Sequence, residues 1–175
     1  MVELPEAVKA YLTSHNILLR EQVKQRYPNI DQVMADPDTE KTILSWLESQ
    51  VAWEEANAEL VMRCLEFLQQ RANERHAPVV KTFLLHSSSF VRLRAFEFLL
   101  MLYFPDKNRE AMFLLLHTML LDPDDTVRNS AAAYIERANA VPELRDFLQQ
   151  WLRTAPTRGW ENSESFERIQ QLLRT

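Results

Sequence analysis

The sequence is almost without glycine: it has 1 glycine in 175 residues, where average usage would give about a dozen. Strand-rich domains need glycine at hairpins and bulges, so this scarcity argues against an all-β fold. It also excludes the Gly-rich loops that hold nucleotide phosphates in Rossmann and Walker sites. With 46% hydrophobic and 26% charged residues, the composition predicts an all-α domain with a substantial core.

The sequence has neither a second cysteine nor a long apolar run, and we expect no secretory leader. Cys64 is the one cysteine, so no internal disulfide can form, as is usual in reducing compartments. The N-terminus lacks the basic and apolar segments of a signal peptide, and no apolar run approaches the roughly 18 residues of a membrane span. We therefore expect a cytoplasmic protein with no membrane partner.

An excess of basic residues is absent as well. The chain has 20 Lys and Arg against 25 Asp and Glu, a net charge of −5. Proteins that coat phosphate backbones usually carry a basic excess or a basic block. A local arginine stripe could still exist in the nearly neutral second half, so the charge disfavours nucleic acid as a partner without excluding it.

Residue patterns typical of catalysis or metal binding are not found. The four histidines are scattered, with no i, i+3 or i+4 pair, and there is no second cysteine to complete a zinc site. Ser87–Ser89 lacks the glycines of a nucleophile elbow. The carboxylate pair Asp124-Asp125 stands at a predicted helix start, where capping accounts for it. The sequence therefore predicts no catalytic, cofactor-binding or metal-ligating residue, and a protein that is not an enzyme.

Proline, aspartate and serine divide the chain into about eight to ten helices joined by short loops. Thr39 or Asp38 is expected to cap one helix. A long helix is predicted from about Glu54 to Ala72 and another from Val91 to Phe104. The segment Thr154–Gly159, which holds the only glycine, is predicted to be a loose linker.

The segments that are present in more than one copy are the most informative part of the chain. Leu60–Leu68 recurs 31 residues later as Val91–Leu99, with Arg and Glu at matching positions. The pair Val91-Arg92, followed by Ala95, recurs 36 residues later as Val127-Arg128, followed by Ala131. Repetition of this kind in segments of helical period predicts stacked helical hairpins.

The segment Asp124–Ala132 resembles the second-helix signature of HEAT repeats, in which an acidic turn precedes Val-Arg and a small residue follows three positions later. Ser89–Ala95 is a less acidic copy. Leu60–Leu68 is a degenerate third copy, because Val61 stands where the arginine is expected. The resemblance covers about residues 54–152.

The HEAT-like resemblance implies an all-α fold, a right-handed α-solenoid of stacked antiparallel helical hairpins. We expect one domain over residues 1–175. Within it, residues 1–50 would form an N-terminal helical cap, 54–153 the HEAT-like repeats and 160–175 a C-terminal capping helix.

Arg92 and Arg128 occupy equivalent repeat positions and are candidate partner-binding residues. One interpretation is an arginine row that grips carboxylates or phosphates of a partner, since guanidinium binds both bidentately. The other is an internal ladder in which each arginine pairs with nearby groups such as Ser88, Asp124 or Asp125. The resemblance favours the ladder.

Trp53, Trp151 and Trp160 are further candidates for partner binding, because they stand in or beside polar stretches and tryptophan is enriched at interaction hot spots. The alternative is that they cover the exposed ends of the stack, where a terminal repeat has no neighbour.

The function predicted from these features is a non-catalytic scaffold, adaptor or assembly factor that binds another protein and needs no cofactor. One alternative is an enzymatic use of the architecture, since DNA alkylation-repair glycosylases and bilin lyases are similar in their HEAT-like helical pairs. Another is a helical homo-oligomer with a structural role.

Overall fold

The computed structural model describes residues 3–71, 73–103 and 108–174. Within these ranges the protein has eleven α-helices, several short 3₁₀ turns and no strand. The all-α prediction is confirmed, with one helix more than the upper estimate. The helices are α1 (Glu6–Thr13), α2 (Ile17–Arg26), α3 (Ile30–Ala35), α4 (Pro37–Leu47), α5 (Ala58–Gln69), α6 (Ala77–Thr82), α7 (Ser89–Tyr103), α8 (Arg109–Met119), α9 (Asp125–Arg137), α10 (Val141–Thr154) and α11 (Glu164–Arg174).

The chain divides into two compact units, Met1–Leu99 and Leu100–Thr175, and the single domain expected over residues 1–175 stays a prediction. The boundary lies inside α7. Among the described residues, no helix has both the length and the apolar character needed to cross a bilayer.

Unit 1 is built on α5, against which α1 and α4 pack. The apolar face of α5 is fully enclosed because Val61, Cys64, Leu65 and Leu68 recur at helical spacing. Helix α2 is different: it contacts α1 and α3 but buries none of its residues. It is therefore a surface helix whose apolar side chains have no core to fill.

Unit 2 is built on α9, which packs against α8 and α11, while α10 also packs against α11. Helix α9 can approach its neighbours closely because Ala131 and Ala132 lie on its buried face. Ile169 and Leu172 are the corresponding buried positions of α11. The predicted terminal helix is thus a full member of this core.

The cap of α4 differs from the prediction. Asp36 caps the helix by accepting a hydrogen bond from the Asp38 N–H at 2.8 Å, and Pro37 is the first helical residue. Proline suits this position because its missing N–H would have no helical partner there. Thr39 is instead buried and donates its hydroxyl to the Val33 carbonyl.

The long helix predicted over Glu54–Ala72 is wrong. Two 3₁₀ turns, Gln50–Trp53 and Glu55–Asn57, precede α5, and Glu54 between them is extended, with ψ 133°. The Asn57 amide donates to the Val51 carbonyl at 2.8 Å and holds this bend. Ala72 lies outside the described residues.

The loose linker predicted over Thr154–Gly159 is also wrong. Ala155–Arg158 forms a 3₁₀ turn in which Ala155 is buried, and Gly159 ends it in the left-handed conformation, with φ 72°. This is the conformation that glycine adopts without steric cost. Helix α7 begins at Ser89, two residues before the predicted start, and Phe104 lies outside the described residues.

Candidate functional site

The two repeat-equivalent arginines are buried and close a loop in the same way. The Arg92 guanidinium donates to the carbonyls of His86 and Ser87, at 2.8 and 2.9 Å. The Arg128 guanidinium donates to the carbonyls of Asp122 and Pro123, both at 2.8 Å. Each arginine therefore bonds the residues five and six positions before it, and we call the two the loop-capping arginines.

The loops that they close are equivalent in a second respect. The Ser88 N–H donates to the His86 ring nitrogen at 3.0 Å. The Asp124 N–H donates to the Asp122 carboxylate at 2.8 Å, at the position 36 residues later. The sequence repeat thus corresponds to a repeated loop geometry, in which a side-chain acceptor and an arginine fix the turn before the helix.

Arg128 also has contacts that tie α9 to the chain around α11. Its guanidinium pairs with Asp125 at 3.0 Å, donates to the Ser165 hydroxyl at 3.2 Å and lies 4.1 Å from the centroid of the Trp160 ring. Partial burial alone would raise the pKa of Asp125. Hydrogen bonds from Ser165 and the Glu164 N–H, together with the Arg128 charge, outweigh it and hold that pKa below its ordinary value.

Two of the three candidate tryptophans belong to the interior of unit 2. Trp151 is buried, and its indole N–H donates to the Leu120 carbonyl at 2.6 Å. Trp160 is half-buried, stacks on Trp151 with 5.7 Å between the ring centroids, and covers the Arg128 guanidinium. These rings serve the packing of their own unit and leave little of Trp151 for a partner to contact.

Trp53 is the most exposed of the five candidate residues, with 39% of its surface in solvent. Its ring stacks on Phe83, with 5.2 Å between the centroids, and on His86, with 5.7 Å. A shallow groove of about 270 Å³ beside it is lined by Leu47, Pro78 and other side chains of α4 and α6.

The single cysteine and two of the histidines are buried rather than exposed on the surface. Burial raises the pKa of the Cys64 thiol, which keeps it protonated. His76 is buried with its Nε2 3.0 Å from a Glu40 carboxylate oxygen, and His86 is buried in the loop closed by Arg92. Among the described residues, no group of three His, Cys, Asp or Glu side chains is placed to hold a metal ion.

A groove of about 250 Å³ in unit 1 has an unusual concentration of cationic side chains. It is lined by Arg20 of α2, Arg63 of α5 and Arg71, which follows α5. Tyr11, His15, Glu66 and Phe67 complete its polar and aromatic walls. We call it the arginine groove.

Two of these arginines are held without a carboxylate. The Arg71 guanidinium lies 3.8 Å from the centroid of the Phe67 ring and donates to the Met34 carbonyl at 2.8 Å. The Arg20 guanidinium lies 5.0 Å from the centroid of the Tyr11 ring. Neither forms an ion pair with any described Asp or Glu, so both charges are available to a ligand.

The third arginine belongs to a row of ion pairs that connects α5 and α7. Arg63 pairs with Glu66 at 2.9 Å, and Arg94 pairs with Glu97 at 2.8 Å, in matching positions of the repeat. Arg94 also reaches Glu66 at 3.0 Å and joins the two pairs. We call these four residues the charge ladder. Its Glu66 is the one carboxylate among the described residues that line the arginine groove.

Two exposed apolar side chains precede Arg20, a lining residue of the groove, in the sequence. Ile17 and Leu18, in the first turn of α2, are 80% and 76% exposed, and Arg20 follows them. Sequence reasoning missed this region. The available signal was the run Ile17-Leu18-Leu19, which puts three adjacent apolar residues around a helix and so cannot bury all of them on one face.

A larger groove in unit 2, of about 800 Å³, offers less unpaired charge. It is lined by parts of α9, α10 and α11. Its Arg168 donates to the Asn129 side chain at 2.7 Å and pairs with Glu136 at 3.3 Å. The arginine groove is therefore the better candidate site.

No protein-family model, characterised protein or solved structure matches the chain.

Proposed function

We propose that this chain is a non-catalytic interaction protein, built from HEAT-like helical hairpins in a right-handed solenoid, that binds another protein as an adaptor or assembly factor. The repeated loop geometry around the loop-capping arginines supports the hairpin-repeat part of the proposal. We further propose that it acts in the cytoplasm, since its single thiol is buried and needs no oxidising compartment.

The observation that carries the binding function is the exposure of Ile17 and Leu18 beside the arginine groove. Apolar side chains this exposed cost free energy in water, and contiguous ones mark interaction surfaces. Protein interfaces combine an apolar centre with arginine and aromatic side chains, which Arg20 and Tyr11 supply here. The proposed contact surface is therefore the N-terminal end of unit 1.

The test compares capture of partners by two surface variants. A tagged Ile17→Ser/Leu18→Ser protein and a tagged Leu114→Ser protein are each used to purify partners from native lysate, with quantitative mass spectrometry of the recovered proteins. Leu114, on α8, is 69% exposed and serves as the matched control. We expect a stoichiometric protein partner that the double variant loses and the control retains.

Other results of the same experiment would contradict the proposal. Recovery of DNA or of a chromophore without a protein partner would favour the glycosylase-like or bilin lyase-like alternative. Self-association that the double variant abolishes, with no other protein recovered, would favour the homo-oligomer. Equal capture by both variants would remove the N-terminal surface from consideration.

A further inference from the structure

We infer that the arginine groove binds the carboxylates of an acidic peptide segment, an inference that rests on the proposed protein-binding function and names the chemistry of the partner. The segment would place its acidic side chains between Arg20 and Arg71 and its apolar side chains against Ile17 and Leu18.

The first argument is preorganisation. Arg71 is held by a ring on one side and by the Met34 carbonyl at one nitrogen, and Arg20 lies over the Tyr11 ring. An arginine that is already ordered loses less side-chain entropy when a ligand binds. Its planar fork also matches the two oxygens of a carboxylate.

The second argument is an unsatisfied donor. The Nε–H of Arg63 is buried and has no hydrogen-bond partner among the described residues. A buried donor without an acceptor costs free energy that a new acceptor recovers. Arg63 lines the groove, so this unsatisfied donor belongs to a side chain of the site, and its guanidinium adds a third positive charge there.

The third argument favours an acidic peptide over a nucleic acid as the ligand of the arginine groove. Residues 1–99 carry 11 Lys and Arg against 14 Asp and Glu, so the groove is a local positive site on an acidic unit. A phosphate backbone requires a run of cationic contacts that tracks the strand. A groove of about 250 Å³ has room for a few side chains only, which suits a short peptide.

The experiment measures binding of a fluorescein-labelled peptide of alternating glutamate and leucine by fluorescence anisotropy. The comparison peptide has glutamine at each glutamate position. We expect the acidic peptide to bind at least about tenfold more tightly, because charge-assisted hydrogen bonds to arginine are lost with glutamine. Raising the salt from about 0.05 M to about 0.5 M should weaken its binding, because exposed charges are screened.

Three variants locate the site. Arg20→Gln should weaken binding of the acidic peptide about fivefold to tenfold, whereas Arg153→Gln, an exposed arginine of unit 2, should leave it unchanged. Glu66→Gln removes the carboxylate from the groove and should strengthen binding about threefold. Circular dichroism and thermal melts establish that each variant is folded. Arg20 is exposed, so its replacement leaves the core intact.

Several results would overturn the inference. These are equal binding of the two peptides, an Arg20→Gln protein that binds as tightly as the parent, or tighter binding of a labelled oligothymidylate than of the acidic peptide. If the acidic peptide fails to bind while capture of a protein partner still depends on Ile17 and Leu18, the inference is wrong and the proposed function stands. If the acidic peptide fails to bind and capture of a protein partner does not depend on Ile17 and Leu18, both the inference and the proposed function are wrong.

Discussion

Arginine side chains fix loops in this protein by reaching back along their own chain. Arg92 and Arg128 each satisfy two carbonyls of the preceding turn, which would otherwise be short of donors in a buried position. In each arginine one nitrogen, Nη1, makes both bonds; Arg128 also donates from Nε to Ser165 and from Nη2 to Asp125, contacts that the single nitrogen of a lysine could not add. These internal contacts account for an arginine at position 128, and the candidacy of both arginines for partner binding stays a prediction.

The structure predicts that Arg128→Ala lowers the free energy of unfolding by about 3 kcal/mol, since it leaves two carbonyls without this donor and removes the ion pair with Asp125. Urea denaturation followed by circular dichroism measures the loss. Arg137→Ala is the control on the same helix, and its exposed side chain should be worth less than about 0.5 kcal/mol. Similar losses for the two variants would show that the buried contacts of Arg128 add no stability.

His86 predicts a dependence of stability on pH. Burial lowers the pKa of His86 below its ordinary value of 6.5, so the unfolded chain takes up the proton more readily than the folded one. The contribution to the free energy of unfolding is complete above about pH 6.5 and falls as the pH drops below it.

The measurement for His86 is a series of urea unfolding curves between about pH 7 and pH 5. The His86→Asn variant, which keeps an acceptor for the Ser88 N–H, should show a shallower decline than the parent. Part of the slope should persist, because burial also lowers the pKa of His117.

At the scale of helices, the charge ladder shows what the repeat accomplishes between α5 and α7. Arg63 with Glu66 and Arg94 with Glu97 are i, i+3 pairs within each helix, and the contact of Arg94 with Glu66 connects the helices. Isolated ion pairs on the surface contribute little to stability. In a network, the entropy cost of ordering one side chain is shared among several ion pairs. The repeat thus supplies matching charges on two neighbouring helices.

The ladder predicts unequal effects for two chemically identical substitutions. Glu66→Gln should lower the free energy of unfolding by about 1–2 kcal/mol, because Glu66 holds two arginines, and Glu97→Gln by about 0.5 kcal/mol, because Glu97 holds one. The two carboxylates are equally exposed, so burial does not separate them. Urea midpoints decide the question, and a larger loss for Glu97→Gln would rule out the connecting role of Glu66.

Helical periodicity and the repeat were sufficient to predict an all-α chain, and the matching residues of the repeat, Val91, Ala95, Val127 and Ala131, are fully enclosed in α7 and α9. The break before α5 could not be predicted, because Glu and Ala are good helix formers and the bend depends on a bond from Asn57 to Val51.

The arginine groove could not be predicted from spacing. Arg20 and Arg63 are 43 residues apart in the sequence, and they line one groove because α1, between them in space, packs against both α2 and α5. The candidate residues chosen from sequence were the most distinctive types, tryptophan and arginine in repeat positions. Those types are equally suited to the interior when each polar atom finds a partner, as Trp151 and Arg128 do.

For the whole molecule, net charge opposes self-association in solution, whereas exposed apolar surface favours it. The charge is −5 at pH 7 and the isoelectric point is near 5.4, where electrostatic repulsion between molecules vanishes. We expect light scattering to show increased self-association near pH 5.4, and Ile17→Ser/Leu18→Ser to suppress it. Equal suppression by Leu114→Ser would mean that no single surface dominates the association.

The buried thiol of Cys64 is a natural probe of local unfolding in unit 1. An alkylating reagent needs a thiolate in contact with solvent, and this side chain offers neither while unit 1 is closed. The rate of modification in native buffer therefore measures how much of the protein has the core around α5 open, when reclosing is faster than alkylation. Since the chain has one cysteine, that measurement needs no engineered label and no correction for a second site.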